Sequence, residues 1–296
     1  MKYEFKNRHP NLPVVTMTLV YFIELFLYLI NFISGFFFVN VLFLMSILIL
    51  FFSLVIMKTA ISKPPFVFSV IFSVFLFIYE MPLILIDNHQ YLISSPNAPE
   101  ELIKGSGIFL LSINVATIGS VENEQVLRDS YQKGHTKYFE IISVKNHARY
   151  FSKNKAIIES VGLYKDEFEQ MSENVAGYLN TSNKAIDEFL TRDGSSGSSA
   201  GLGLVLSSLS EQGEFENDML IGVTGAISKT GKVKEVGSIN EKIQTANENG
   251  FSHIILPLAN LSEAKEVKKK LNLPIEIIGV HDVDETIQLI KELNKR

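Results

Sequence analysis

The sequence predicts an α+β protein in which an all-α membrane anchor of three transmembrane helices precedes a soluble, mixed α/β part. Three observations predict this class. First, 15 of the 22 Phe residues lie at or before Phe77, so the apolar content of the 296 residues is concentrated near the N-terminus. Second, Glu24 is the only charged residue between Pro10 and Met57. Third, after Asp87 stretches rich in branched residues alternate with helical stretches, as in mixed α/β domains.

The composition limits the function classes. The chain contains no Cys, which excludes disulfides, zinc–cysteine sites, iron–sulfur clusters and a cysteine nucleophile. The net charge of −5 gives no electrostatic footprint for nucleic acid. We therefore expect no nucleic-acid partner, no metal and no cofactor.

The anchor is predicted over residues 1–87. A helix needs about 20 apolar residues to cross the bilayer core. The first apolar run is more than twice that length, so it predicts two spans, at about 14–33 and 36–57, joined by a turn near Ser34-Gly35. A third apolar run predicts a span at about 66–86. Glu24 and Glu80 fall within spans, where they either form a polar relay or have separate roles. In the second case Glu80 lies at the membrane interface and Glu24 pairs with Asn or backbone groups.

The basic residues predict the orientation. Lys2, Lys6 and Arg8 precede the first span, and Lys58 and Lys63 lie between the second and third. Because cytoplasmic loops carry an excess of Lys and Arg, three spans place both groups in the cytoplasm and everything after the anchor outside it. We therefore expect a multi-pass protein of the cell membrane, in contact with membrane lipid. If the third apolar run is instead a buried soluble helix, the soluble part is cytoplasmic.

Two regions follow the anchor. Residues 88–190 are predicted to form an extracytoplasmic linker and the first elements of a domain, and residues 191–296 to form the core of that domain. The predicted strands are 108–118, 138–144, 220–227, 233–236, 253–256 and 275–280. The predicted helices are 121–132, 147–161, 166–191, 200–209, 239–249, 262–271 and 283–293.

Ser199 stands where a Gly/Ser-rich loop, Gly197-Ser198-Ser199-Ala200-Gly201, meets an apolar helix. A hydroxyl there lies beside unpaired backbone N–H groups and the positive end of the helix. Such groups can stabilise an oxyanion during acyl transfer, so Ser199 is a candidate nucleophile. The alternative is a serine that only caps the helix.

Lys242 shares one helix face with Ile239, Ile243 and Ala246, at spacings of three, four and seven residues. That face is apolar, which predicts that Lys242 points inward. Burial lowers the pKa of a lysine, and a neutral amine can act as general base toward a serine hydroxyl. The alternative is a lysine whose stem covers the apolar face while its charge reaches water.

Taken together, the motifs over residues 196–287 resemble the proteolytic domain of Lon proteases. The family's G-P-S-A-G is G-S-S-A-G here, which aligns Ser199 with its nucleophile, and its G-G-[IL]-x-x-K aligns with Gly237–Lys242. The interval of 43 positions from Ser199 to Lys242 matches that of the family. The remaining matches are Thr224-Gly225 with T-G, Gly231-Lys232-Val233 with G-[RK]-V, and Ile255-Leu256-Pro257 and Asn260 with the family's L-I-P strand end and following Asn.

The resemblance implies a role for each matching residue. Ser199 is the nucleophile and Lys242 the general base, which acts later as the acid. Thr224 hydrogen-bonds the lysine and orients it. The backbone N–H groups around Ser199, in the segment that includes Ala200 and Gly201, form the oxyanion hole. Substrate adds as a strand beside residues 220–222.

This chain departs from the family pattern at three positions. The Pro before the nucleophile is Ser198, which removes a φ restraint and also leaves a second hydroxyl that could attack. The register against Ala200-Gly201 favours Ser199. Ser196 stands where some members have Asp, and Ser238 stands where the family has its second Gly. The chain also lacks the phosphate-binding motif of an ATPase, so we expect ATP-independent proteolysis.

The resemblance implies a membrane-anchored, ATP-independent serine endopeptidase that hydrolyses polypeptides with a Ser199–Lys242 dyad. It also implies a homo-oligomer, such as a hexameric ring. One alternative is a catalytically inactive Lon-like domain that serves as a membrane-tethered binding scaffold. Another treats G-x-S-x-G as the nucleophile turn of an α/β-hydrolase, with Asp218 and either His253 or His281 completing a triad.

Overall fold

The computed structural model describes residues 12–59, 64–86, 90–180 and 183–295. Lys2, Lys6, Arg8 and Lys63, on which the predicted orientation depends, lie outside the described residues. Packing divides the chain into two compact units. The first comprises Met1–Leu92, Thr117–Lys133 and Ile141–Val161, and the second comprises Ile93–Ala116, Gly134–Glu140 and Gly162–Arg296. These units are discontinuous along the chain, whereas the predicted ranges 1–87, 88–190 and 191–296 follow its order.

The helices are α1 Leu12–Leu29, α2 Gly35–Thr59, α3 Pro64–Glu80, α4 Pro82–Ile86, α5 Glu124–Lys133, α6 Asn146–Ser160, α7 Glu167–Leu179, α8 Lys184–Leu190, α9 Gly201–Glu211, α10 Ile239–Glu248, α11 Leu261–Leu271 and α12 Val283–Leu293. The strands are β1 Tyr91–Pro96, β2 Ile108–Leu110, β3 Ile113–Ile118, β4 Glu140–Ser143, β5 Ile221–Val223, β6 Ala226–Ile227, β7 Val233–Lys234, β8 His253–Pro257 and β9 Glu276–Val280.

Two apolar segments of the first unit are long enough, by length and composition, to cross a membrane. They are Gly35–Val55 in α2 and Val67–Leu85, which runs through α3 and α4. The apolar part of α1, Val14–Leu29, is shorter. The sequence predicts a first span that extends to residue 33, but α1 ends at Leu29. Asn31, just beyond it, adopts a left-handed backbone conformation (φ 62°). By this criterion the described residues support two of the three predicted spans.

A buried ion pair joins α6 to α3 within the first unit. Lys153 Nζ lies 2.5 Å from a carboxylate oxygen of Glu80, and the two side chains are 6% and 0% exposed. The Glu80 carboxylate also accepts hydrogen bonds from the hydroxyls of Tyr21 (2.8 Å) and Tyr150 (3.1 Å). These donors offset the cost of removing the two charges from water. The interfacial position expected for Glu80 is therefore wrong, because its carboxylate is 0% exposed and paired with Lys153.

The second unit is built on a parallel sheet of strand order β2-β5-β8-β9. Alternate residues of β8 point to opposite faces of this sheet, as the pleat requires. Ile255 joins the apolar cluster formed with α7, α9 and α12, whereas Ile254 and Leu256 join the cluster formed with α10 and α11. Helices on both faces bury the sheet, which explains why its strands are almost continuously apolar.

Three predicted elements are divided in the structure. The predicted strand 108–118 becomes β2 and β3, which belong to different sheets, since β3 lies in a sheet of order β3-β1-β4. The predicted strand 220–227 becomes β5 and β6, separated at Thr224-Gly225. The predicted helix 166–191 becomes α7 and α8, because Asn180 ends α7 in the left-handed conformation (φ 51°).

Candidate active site

Ser199 lies in the loop that enters α9, two residues before the helix begins. Its carbonyl oxygen accepts a hydrogen bond from the N–H of Gly225 (2.8 Å), and the N–H of Leu202 donates to the carbonyl of Gly225 (2.8 Å). The loop is thus paired through its main chain to the segment between β5 and β6. A side chain at position 225 would crowd this pairing, because a Cβ there would lie 3.2 Å from Leu202 and Val233 atoms.

The backbone N–H groups of Ser199 and Ala200 donate no hydrogen bond to any of the described residues. The next N–H, that of Gly201, donates to the carbonyl of Ser198 at 3.2 Å. Free N–H groups at the start of a helix carry partial positive charge and bind anions. The two groups beside Ser199 are therefore suited to hold a negatively charged oxygen.

Lys242 is buried in α10, with 4% of its surface exposed. Its neighbours on that helix face, Ile239, Ile243 and Ala246, are buried as well, so the inward placement predicted from the spacing is confirmed. Its Nζ donates a hydrogen bond to the carbonyl of Gly237 at 3.0 Å. Burial lowers the pKa of Lys242 to about 8, and the nearby carboxylate of Glu241 opposes this shift only in part.

Ser199 and Lys242 line one cavity of about 570 Å³ within the second unit. The start of β3, the loop 196–199 and the loop 235–238 form its walls, together with Glu167. Among the described residues no hydrogen bond joins the Ser199 hydroxyl to the Lys242 amine. Ser198 also lines the cavity, whereas Thr224, Ala200 and Gly201 lie outside its lining.

Thr224 has a different partner from the one expected. The resemblance placed its hydroxyl on Lys242, but the structure places it 3.4 Å from the carbonyl oxygen of Ser199, to which it donates. The N–H of Thr224 donates to the carbonyl of Ile255, which continues the sheet. Thr224, which is 1% exposed, therefore supports the loop of Ser199 rather than the lysine.

Asn260 supports the lysine side of the cavity. Its Oδ1 accepts the N–H of Val236 and its Nδ2 donates to the carbonyl of Val236, both at 3.0 Å. Asn260 is 1% exposed, and Val236 directly precedes Gly237, whose carbonyl holds Lys242. The sequence motifs included Asn260 but assigned it no role. Its hydrogen bonds to Val236 join residues 24 positions apart, which a local motif does not reveal.

Ser238 adopts a left-handed backbone conformation (φ 59°) directly before α10. Glycine adopts this conformation without strain, which explains why the family pattern has a second Gly at this position. Gly237 has no such requirement, because its φ is ordinary and a Cβ there would meet no atom within 4 Å.

The strand expected to receive substrate has no free edge. Gly222 in β5 lies opposite Phe109 in β2 on one side and Ile254 in β8 on the other. The expectation of strand addition beside 220–222 is therefore wrong. β3 offers another place, because it lies at the edge of its sheet and its residues Ile113 and Val115 line the cavity.

The residues proposed for an α/β-hydrolase triad lie elsewhere. Asp218 and His253 line a separate pocket near the end of α12, and the His253 Nε2 lies 3.5 Å from the carboxylate of Glu276. Neither residue, nor His281, lines the cavity that contains Ser199. No group of three or more His, Asp or Glu residues in the described part of the chain could hold a metal ion.

Comparison with known proteins supports the motif-based resemblance. Residues 191–292 match the model of the Lon protease (S16) C-terminal proteolytic domain. The archaeal Lon protease of Methanocaldococcus jannaschii is 36% identical over 74 residues, which cover 25% of this chain and 11% of that protein. Lon protease 1 of Thermus thermophilus is 36% identical over 72 residues, covering 24% and 9%. The Lon protease of Desulfovibrio desulfuricans is 32% identical over 96 residues, covering 32% and 11%.

The chain thus spans about a tenth of the length of the curated relatives that it matches. The match includes the segments that carry Ser199, Thr224 and Lys242. Residues 191–292 are thus similar to the proteolytic domain of Lon proteases.

Proposed function

We propose that this protein is a membrane-anchored, ATP-independent serine endopeptidase in which Ser199 is the nucleophile and Lys242 the general base. The observation that carries the proposal is that Ser199 and Lys242 line one cavity although they lie 43 positions apart in the sequence. The buried lysine is also the residue whose pKa falls to about 8, so a neutral amine is available near physiological pH.

The surroundings of Lys242 suit a base. A neutral amine has two N–H bonds and one lone pair. One N–H is directed to the carbonyl of Gly237, which leaves the lone pair for the hydroxyl of Ser199. Both side chains line the same cavity, and catalytic hydrogen bonds are often made only when substrate is bound.

The reaction follows from these groups. Lys242 accepts the proton of Ser199 Oγ as this oxygen attacks the scissile carbonyl carbon, and the carbonyl oxygen becomes an oxyanion beside the free N–H groups of Ser199 and Ala200. The Lys242 ammonium then gives its proton to the leaving amine, and the C–N bond breaks. Water attacks the resulting acyl-enzyme by the same route, which releases the carboxylic acid product and restores Ser199.

The membrane part of the proposal rests on the first unit. α2 and the segment through α3 and α4 have the length and composition of transmembrane spans. We propose that α1, which precedes them, is a further span, since its 18 residues lie within the range of known transmembrane helices. Three spans place the proteolytic domain outside the cytoplasm. ATP independence rests on the sequence, which contains no phosphate-binding loop motif. The assembly into a homo-oligomer is proposed from the family resemblance.

The alternative of an inactive scaffold rests only on Ser196, Ser198 and Ser238, which replace family residues. These changes leave Ser199 and Lys242 in place. The free N–H groups beside Ser199 and the buried Lys242 support the enzyme over the scaffold.

Peptidase assays on the full-length chain in detergent test the proposal. We expect Ser199→Ala and Lys242→Arg to reduce the cleavage of an unfolded protein substrate by about 10³-fold or more, since residues of a nucleophile–base pair act as a unit. Ser210→Ala, a serine in α9 outside the cavity, is the matched control. Ser198→Ala separates the two candidate hydroxyls. Cleavage retained by Ser199→Ala would overturn the proposal.

A further inference from the structure

Two carboxylates line the cavity from different elements. Glu167 is the first residue of α7, and Glu235 directly follows β7. Both side chains are exposed. Within the described residues neither carboxylate forms an ion pair or a side-chain hydrogen bond, unlike Glu173 on α7, which pairs with Lys165 at 2.5 Å. Their charges are therefore available to a ligand in the cavity.

Both carboxylates are held in place by buried neighbours. Glu235 precedes Val236, whose N–H and carbonyl are both bound by the buried Asn260. Glu167 begins a helix whose Met171 and Val175 are buried in the core of the second unit. The backbones of both residues are therefore fixed, which keeps the two carboxylates within reach of the cavity although the exposed side chains themselves have no partner.

The rest of the lining does not balance the two negative charges. It consists of Ser, Gly, Ile and Val residues and one basic residue, Lys242, whose amine is turned toward the carbonyl of Gly237. Two carboxylates against one amine give the lining a net negative charge, which attracts cationic ligands. A cationic side chain entering beside Ser199 would meet both carboxylates, whereas an acidic one would be repelled.

We propose that this cavity selects polypeptide segments that carry Lys or Arg within a few residues of the scissile bond. The proposal rests on the proposed peptidase function and adds its substrate class. Glu167 and Glu235 are specificity-determining residues here, since they contact the substrate side chain and take no part in the proton transfers of Ser199 and Lys242.

Matched fluorogenic peptides test the preference on the full-length chain in detergent. The peptides share one sequence and differ at a single position, which holds Lys, Gln or Glu and is moved stepwise across the scissile bond. For at least one position we expect kcat/KM to be about tenfold higher for Lys than for Glu, because each exposed charge pair contributes modestly. Raising the salt concentration from about 0.05 M to about 0.5 M should reduce this ratio, because salt screens exposed charges.

Charge variants assign the preference to the two residues. In the double variant Glu167→Gln, Glu235→Gln the Lys-to-Glu ratio should fall to about one, and in Glu167→Lys, Glu235→Lys it should invert. The control is Glu263→Gln, an exposed carboxylate on α11 outside the cavity, which should keep the wild-type ratio. Thermal unfolding of each variant confirms that it is folded.

A binding measurement separates this proposal from the proposed function. The same peptides are bound to Ser199→Ala and followed by fluorescence anisotropy, which needs no turnover. Tighter binding of the Lys peptide than of the Glu peptide, lost in the double Gln variant, supports the specificity even if no peptide is cleaved. Equal binding and equal kcat/KM for all three peptides would overturn it, whereas cleavage by Ser199→Ala would overturn the peptidase mechanism alone.

Discussion

The side-chain amide of Asn260 binds both the N–H and the carbonyl of Val236, each at 3.0 Å. The next residue, Gly237, accepts the hydrogen bond of the Lys242 amine. Asn260 is therefore a positioning residue: it fixes the main chain that in turn fixes the proposed base. Because Asn260 is buried and its amide oxygen and nitrogen both bind Val236, it also holds the loop 235–238 against the rest of the second unit.

Asn260→Ala should lower kcat by about 10- to 100-fold and reduce stability by about 1–3 kcal/mol, because the N–H and carbonyl of Val236 lose their partners. A purely structural role would leave the pH dependence of the remaining activity unchanged. We expect instead that the pH–rate midpoint moves upward, since a loosened loop lets water reach Lys242 and restores its charged form. An unchanged midpoint together with a wild-type kcat would contradict the role.

The activity should depend on the protonation of Lys242. Only the neutral amine accepts the Ser199 proton, and burial lowers the pKa of this lysine from 10.5 to about 8. The value of kcat/KM should therefore rise about tenfold per pH unit below about pH 8 and level off above that pH. Initial rates between about pH 5.5 and 9.5 measure this. A profile that stays flat well into acid would exclude Lys242 as the base.

Lys242→Met should stabilise the protein at neutral pH while abolishing activity. The folded-state pKa of the lysine lies below its unfolded value, so protonation favours the unfolded state, and the stability of the wild type rises between about pH 8 and 10.5. Below about pH 8 the full free-energy cost of burying the Lys242 ammonium is present, and Lys242→Met removes this cost. We expect a gain of up to about 3 kcal/mol at pH 7, since each pKa unit corresponds to about 1.4 kcal/mol.

Chemical denaturation at pH 7 and at pH 10.5 measures this gain, which should largely disappear at the higher pH. Lys269→Met, at an exposed position on α11, is the control and should change stability little at either pH. A Lys242→Met protein less stable than the wild type at pH 7 would show that the lysine is held as a favourable charge.

The buried pair of the first unit should be sensitive to the loss of one partner. Lys153→Met leaves the Glu80 carboxylate, which is 0% exposed, without its cation, and should destabilise the unit by about 3–5 kcal/mol. Adding Glu80→Gln removes the orphaned charge and should restore most of the loss. Thermal unfolding of the full chain in detergent measures both. Lys155→Met, in an exposed pair with Glu159 on the same helix, is the control and should cost less than about 1 kcal/mol.

Local patterns predicted the features that depend on neighbouring residues. The burial of Lys242 follows from its spacing relative to Ile239, Ile243 and Ala246, and the free N–H groups at Ser199 follow from its place before an apolar helix. The motifs predicted the Lon family from the order and intervals of short segments, and the comparison over residues 191–292 agrees.

Features that depend on distant contacts could not be predicted. The strand predicted over 108–118 is broken because its two halves pair with different partners: Ile108 lies opposite Ile221, while β3 joins another sheet. The partner of Thr224, the clamp made by Asn260 and the presence of Glu167 in the cavity all depend on how separate elements pack. No periodicity within one element carries that information.

The main-chain pairing of Ser199 with Gly225 bears on how freely this loop can change in evolution. Its hydrogen bonds use only peptide groups, so they survive almost any replacement of the side chains around them. Serine at position 198, where the family pattern has proline, is therefore compatible with the same main-chain pairing of Ser199. A small residue is needed at 225, where a Cβ would lie 3.2 Å from Leu202 and Val233, and at 201, where a Cβ would lie 3.2 Å from Ile227.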